Sequence, residues 1–141
     1  MNKGGAQQLN DVRVTMVDAR HSCGILEDDG SISYGEAAAG YVVEFENGFR
    51  LYHAGDTCVF GDMKIIAALY QPELILLPIG DLYTMNPREA AYACKLMDAQ
   101  KVIPMHFGTF PPLKGTPQEL EELTRELGTE IIQMHPGETL R

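Results

Sequence analysis

The stretch "YVVEFENGFRLYHAGDT", residues 41–57, shows two strand-like runs around Asn47-Gly48 and ends by placing a histidine and an aspartate, three residues apart, in a turn. Asn-Gly adopts positive φ easily and is the strongest short hairpin signal. The second run therefore predicts that His53 and the turn after it sit at a strand end. Upstream, "VRVTMVDA" at 12–19 is rich in β-branched residues and roughly alternating, which predicts a strand with one buried face. It runs into "RHSCGILEDDGSISYGE" at 20–36, whose glycines and acids predict a long surface loop. Downstream, Asp62 is a candidate cap for a helix "MKIIAALY" that Pro72 helps to stop, and the apolar run "LILLPI" follows as a strand. The unit then recurs. Asn86 and Pro87 open the helix "PREAAYACKLM" before the strand "KVIPM". Thr116, Pro117 and Glu119 form a capping box for "QELEELTREL", Gly128 closes it, and "EIIQM" is the last strand. Strands alternating with helices, the later strands almost wholly apolar, predict an α/β layer with one sheet covered by helices.

The 141 residues fit one domain, and residues 1–141 are expected to form it. A net charge of −9 argues against a nucleic-acid footprint or a basic membrane-binding face, because both need clustered Lys and Arg. No run approaches the ~18 apolar residues of a membrane span, and "MNKGGAQQLNDVR" offers no apolar core for a signal peptide, so a cytoplasmic location is expected. Cys23, Cys58 and Cys94 are far apart and lack C-x-x-C spacing, which predicts reduced thiols. Cys94, within "AAYACKLM", reads as a small buried hydrophobe.

All four histidines, His21, His53, His106 and His135, fall at or beyond the C-terminal end of a predicted strand, and Asp56 and Asp81 lie in loops leaving the same edge. Ligands gather at that edge of α/β sheets. Imidazoles and carboxylates converging there would suit zinc, manganese or iron. Each residue alone also has a plain structural reading. A single strand-end histidine is more often a hydrogen-bonding group than a ligand, and Asp56 or Asp81 could simply form a tight turn. His135, before Pro136-Gly137, has nothing specialised around it. "HAGDT" lacks the lysine of a phosphate-binding loop, and there is no G-x-S-x-G elbow.

Taken together, "ARHSCG", "YHAGDT", "LLPIG", "YTMNP" and "VIPMHFGTFP" resemble, in order and with compatible spacing, the second half of a metallo-β-lactamase-superfamily protein of the branch described as metal-dependent hydrolases. The resemblance implies half of an αββα sandwich, one mixed sheet with helices on one face. It also implies a centre of one or two divalent metals, zinc first with manganese, iron or nickel as alternatives, and hydrolysis of an ester, lactone, amide or phosphodiester by a metal-bound hydroxide. Position by position, His21 matches the histidine that completes the first metal site, Asp56 the carboxylate that bridges the metals, and His106 the last histidine of the second site. His53 belongs to the branch's "YHAGD" phrase without being a ligand in the superfamily pattern, which implies a supporting or substrate-side role. His135 matches nothing, and Asp81 stands where such sequences often carry glycine.

The superfamily's first-half signature, H-x-H-x-D-H, is absent from these residues. The expectation is a C-terminal half whose sheet presents an apolar inner face larger than a soluble monomer tolerates. Two coverings are expected: a second copy paired face to face as a homodimer, or a separate chain carrying the missing half. A small molecule is the expected substrate. Metal binding and hydrolysis by the chain alone are expected to be weak, and a non-catalytic, self-associating α/β domain that keeps these residues as remnants is the alternative.

Overall fold

The hairpin at the centre of the sequence reading is also the centre of the sheet. The computed structural model describes residues 1–140. Strand β5 (Ala39–Phe45) runs antiparallel to β6 (Arg50–His53), with Val42 opposite Tyr52 and Tyr41 opposite His53. Only Gly48 of the Asn47-Gly48 pair takes positive φ, at 82°, while the Asn47 side chain accepts from the Phe49 N–H at 3.1 Å. The turn is therefore longer than a two-residue loop.

On one side of this hairpin lie β2 (Val12–Asp18) and β1 (Ala6–Leu9), both antiparallel to their neighbours. On the other side β7 (Leu74–Pro78), β8 (Lys101–Met105) and the two-residue β9 (Glu130–Ile131) follow in parallel. The result is one seven-stranded mixed sheet, ordered β1-β2-β5-β6-β7-β8-β9. The parallel crossovers are made by α1 (Met63–Tyr70), α2 (Pro87–Met97) and α3 (Pro117–Thr124), the last continued by a 3₁₀ turn, Arg125–Leu127.

Two of the three predicted caps form as expected. Asn86 and Thr116 each close a capping box with Glu89 and Glu119, and Pro occupies the first turn of both helices. The third does not: Asp62 holds the cap position of α1 but makes no side-chain cap bond, and its carboxylate instead lies 3.7 Å from the Arg20 guanidinium. The predicted helix "QELEELTREL" gives up its α geometry at Thr124, whose hydroxyl turns back to the Leu120 carbonyl at 2.9 Å. The last strand is shorter than "EIIQM". The predicted surface loop contains a small separate hairpin, β3 (Gly24–Leu26) with β4 (Ile32–Tyr34), and the N-terminal β1 had no periodic signal.

Register sorts the strand side chains into two faces. Val17, Val42, Tyr52, Ile75, Leu77 and Val102 share one face and pack with Met63, Ile66, Ala90, Ala93, Met97 and Leu120 from the helices in one buried cluster. The other face carries Met16, Tyr41, Val43, Leu51, Leu76 and Ile103, none of which belongs to that cluster and each of which stays partly exposed. Six such apolar side chains, each withholding at most about a third of the ~1.5–3 kcal/mol that full burial contributes, leave a few kcal/mol available to whatever covers them. No helix among the described residues is long and apolar enough to cross a membrane.

Cys94 lies in the helix-side cluster, and burial pushes its thiol up to about 12. Thiolate, the reactive form, is therefore scarce at ordinary pH. Alkylation of the native chain at pH 8, read by mass spectrometry, is expected to label exposed Cys58 quickly and Cys94 only after unfolding.

Candidate metal centre

β2, β6, β7 and β8 all point the same way, so their C-terminal ends and the following loops line one edge of the sheet. His21, His53, Asp56, Asp81 and His106 all follow from that edge. The turn after β6 is fixed by contacts that leave little freedom. The His53 Nδ1 accepts from the Gly55 N–H at 3.1 Å. Gly55 has φ +68°, and a Cβ there would stand 2.5 Å from the Ala39 carbonyl oxygen, so only glycine fits. Fully buried Thr57 then ties the turn to the end of β2. Its hydroxyl accepts from the Arg20 N–H at 2.9 Å and donates to the Cys58 carbonyl at 2.8 Å, while the Cys58 N–H donates to the Arg20 carbonyl at 3.0 Å. Arg20 adds a side-chain clamp, 3.7 Å from both Asp18 and Asp62 and over the Phe60 ring.

His106 is set from the other direction. It takes φ +54°, a left-handed conformation that is costly for a residue with a side chain. Gly80, at the end of the neighbouring strand, lies so close that a Cβ would meet the His106 carbonyl oxygen at 2.1 Å. These constraints bring the His106 Nε2 to 3.7 Å from the Asp56 Oδ2, with the imidazole mostly buried and the carboxylate half-exposed.

That separation is too long for a hydrogen bond. It does match two ligands of one ion, since donors bound at about 2.0–2.2 Å stand at most about 4.2 Å apart. The His106 Nδ1, the ring nitrogen other than the one that approaches Asp56, is buried with no partner among the described residues. An imidazole and a carboxylate, oriented by backbone rather than by each other, therefore fit a divalent cation.

The remaining sequence-derived residues are placed differently. His21 is exposed, one residue beyond the Arg20 clamp on the same edge. Among the described residues no three His, Cys, Asp or Glu side chains gather closely enough to hold a metal, so the structure brings together Asp56 and His106 and leaves His21 apart. His53 stands on the uncovered sheet face opposite Tyr41. Asp81 is in a left-handed turn at φ +69°, its N–H donating to the Met85 carbonyl at 3.0 Å. His135 is exposed in a turn closed by Glu138. Thr57, Arg20 and Gly80 carry the geometry without any sequence signal beyond their adjacency to the motifs. Thr57→Val keeps the shape but strips two hydrogen bonds from part-buried backbone groups of Arg20 and Cys58. A loss of about 1–3 kcal/mol in urea unfolding is expected, largely restored by Thr57→Ser.

Comparison with known proteins places this edge in a family. Residues 1–107, a span that takes in His21, His53, Asp56 and His106, match the family described as the beta-lactamase superfamily domain. A UPF0173 metal-dependent hydrolase of Solibacter usitatus is 57% identical over the whole chain, which covers 61% of that protein. Its counterpart in Koribacter versatilis is 55% identical over 99% of the chain, covering 58% of its own length. The structure of Igni18, a metallo hydrolase from Ignicoccus hospitalis, superposes with a TM-score of 0.82 at 34% identity, over 99% of this chain and 58% of that one. The chain thus spans about three fifths of the length of the curated relatives it matches. Its strand order, its helix-covered sheet and the match across most of its residues make it a member of the metallo-β-lactamase superfamily.

Proposed function

We propose that this chain is the ligand-bearing C-terminal part of a metal-dependent hydrolase in which Asp56 and His106, joined by His21, hold a divalent cation. The observation that carries this reading is the 3.7 Å approach of the Asp56 carboxylate to the His106 imidazole at the C-terminal strand edge. Imidazole and carboxylate donors favour zinc, with manganese, iron or nickel as alternatives. A cation held there supplies Lewis acidity, lowering the pKa of water and polarising the carbonyl or phosphoryl oxygen under attack. The chain's own residues do the rest. Asp56 offers a half-exposed carboxylate that offsets the cation's charge and can accept a proton. His106 is fixed by its left-handed backbone, and His53 spends its Nδ1 on the Gly55 N–H, which leaves an Nε2–H donor at the strand end for substrate. An ester, lactone, amide or phosphodiester is the substrate class. The names of the relatives, metal-dependent hydrolases, support the reading.

Two protein ligands in close approach are fewer than the three usual for catalytic zinc. Activity is therefore assigned to the chain together with a complement that covers the open sheet face, either a second copy or a chain carrying further ligands. The open apolar face and the absence of a three-ligand group among the described residues favour a second reading, a self-associating domain without catalysis.

Zinc titration by calorimetry separates the two readings. The hydrolase reading expects weak binding that falls tenfold or more in Asp56→Ala and in His106→Ala, with less change in His53→Ala and circular dichroism unaltered. Affinity insensitive to both substitutions would sink it, and two tightly held ions per chain would show that the ligand set is larger than the one named here. On either reading, light scattering after size exclusion is expected to give a dimer or larger species, and a well-behaved monomer at low micromolar concentration would contradict the need for a covered face.

A further inference from the structure

Helices α2 and α3 lie side by side and run the same way, because each returns from the C-terminal end of one parallel strand to the start of the next. Between their outer surfaces is an open groove of about 520 Å³. It lies on the solvent side of the helix layer, so the whole thickness of helices and sheet separates it from the open sheet face. Tyr92, Leu123 and Leu127 line it, and they are 57%, 50% and 42% exposed. Exposed apolar side chains are ordinary when scattered singly, but here one groove joins three of them.

The two walls of the groove carry opposite charge. On α2, Arg88, Tyr92 and Lys95 follow one another at i, i+4 and i+7 and so share one stripe of the helix. On the α3 side, Glu122 and Glu126 are spaced i, i+4, as are Leu123 and Leu127 beside them. Arg125, the cation on that side, also lines the hollow beyond α3 next to Glu121, which puts it on the ridge between the two hollows. Arg88, Lys95, Glu122 and Glu126 are all exposed, and none forms an ion pair among the described residues, whereas Lys3, Arg20 and Lys101 do.

We propose that this chain pairs with a second copy of itself through the α2–α3 groove, a contact separate from any covering of the open sheet face. Rotation by 180° about an axis along the groove lays α2 of one copy over α3 of the other, parallel and at the same height. Arg88 and Lys95 then face Glu122 and Glu126 twice over, once on each side of the axis, while Tyr92, Leu123 and Leu127 of both copies close on one another. The pattern favours a second copy over a foreign partner, because a strongly acidic or strongly basic surface would be repelled by one of the two walls. Helices of eight and eleven residues are about 12 and 17 Å long, so the contact is at the small end of specific interfaces and a micromolar dissociation constant is expected.

Sedimentation equilibrium of the full chain across the micromolar range tests this, with charge reversals at exposed positions and folding checked by circular dichroism. Arg88→Glu with Lys95→Glu makes both walls acidic, and Glu122→Lys with Glu126→Lys makes both basic. Each double variant is expected to self-associate roughly tenfold or more weakly, because like charges then face each other in both halves of the contact. An equimolar mixture of the two variants, and a single chain carrying all four substitutions at the unmodified net charge, are each expected to associate as the unmodified chain does. Pairing through the open sheet face is common to every variant and cancels in the comparison. In the unmodified chain, association is also expected to weaken as salt is raised, a readout that needs no variant. Self-association unchanged in both double variants would overturn the proposal, as would a loss that neither the mixture nor the four-substitution chain restores. So would an unmodified chain that stays monomeric, the result expected if a different protein occupied the groove, or association that holds or strengthens with salt, which would place the contact on the apolar sheet face.

Discussion

The hydroxyl of Thr57, buried and shared between the Arg20 N–H and the Cys58 carbonyl, is the interaction on which the site's geometry turns. It joins the end of β2 to the turn after β6 across the intervening start of β5, and so sets the segment bearing His21 against the segment bearing Asp56. Buried polar groups of this kind are expensive when unpaired and rigid when paired. Around it the charged side chains are surface pairs. Arg20 with Asp18 and Asp62 contributes little in free energy but limits how far the β2 end can swing.

Two glycines extend the same logic to the rest of the edge. Gly55 lets the turn close on Ala39, and Gly80 lets the end of β7 press against the backbone of His106. With the turn held by one contact and the histidine by the other, Asp56 and His106 meet at 3.7 Å without a hydrogen bond between them. Their relative position is thus a property of the backbone. A cation would find the two donors already placed, which reduces the ordering that binding must oppose.

Much of this was legible in the residues, and the exceptions have physical causes. The βαβ units declared themselves because apolar runs, Asn86-Pro87 and Thr116-Pro117 each point to one local structure. Asp62 misled because its carboxylate has a better partner in Arg20, a residue 42 positions away that no local rule anticipates. The hairpin at residues 24–34 hid inside a stretch rich in glycine and acids, whose two apolar triplets are too short to show a period. For the site, the strand-end positions of Asp56 and His106 followed from the alternation of elements, while the roles proposed for them rest on family resemblance. Thr57 and Gly80 were invisible because what marks them is proximity across the sheet. The sheet face away from the helices carries a row of partly exposed apolar side chains, a feature no local sequence rule marks.

X-ray absorption at the zinc edge of the zinc-loaded chain tests the central claim most directly, because it reports the ligands themselves. The expected spectrum has a shell of nitrogen and oxygen near 2.0–2.1 Å with the outer scattering of imidazole, which weakens in His106→Ala. A sulfur shell near 2.3 Å would place the ion on Cys23 or Cys58 instead, and an oxygen-only shell without imidazole scattering would mean that the edge holds no metal through His106.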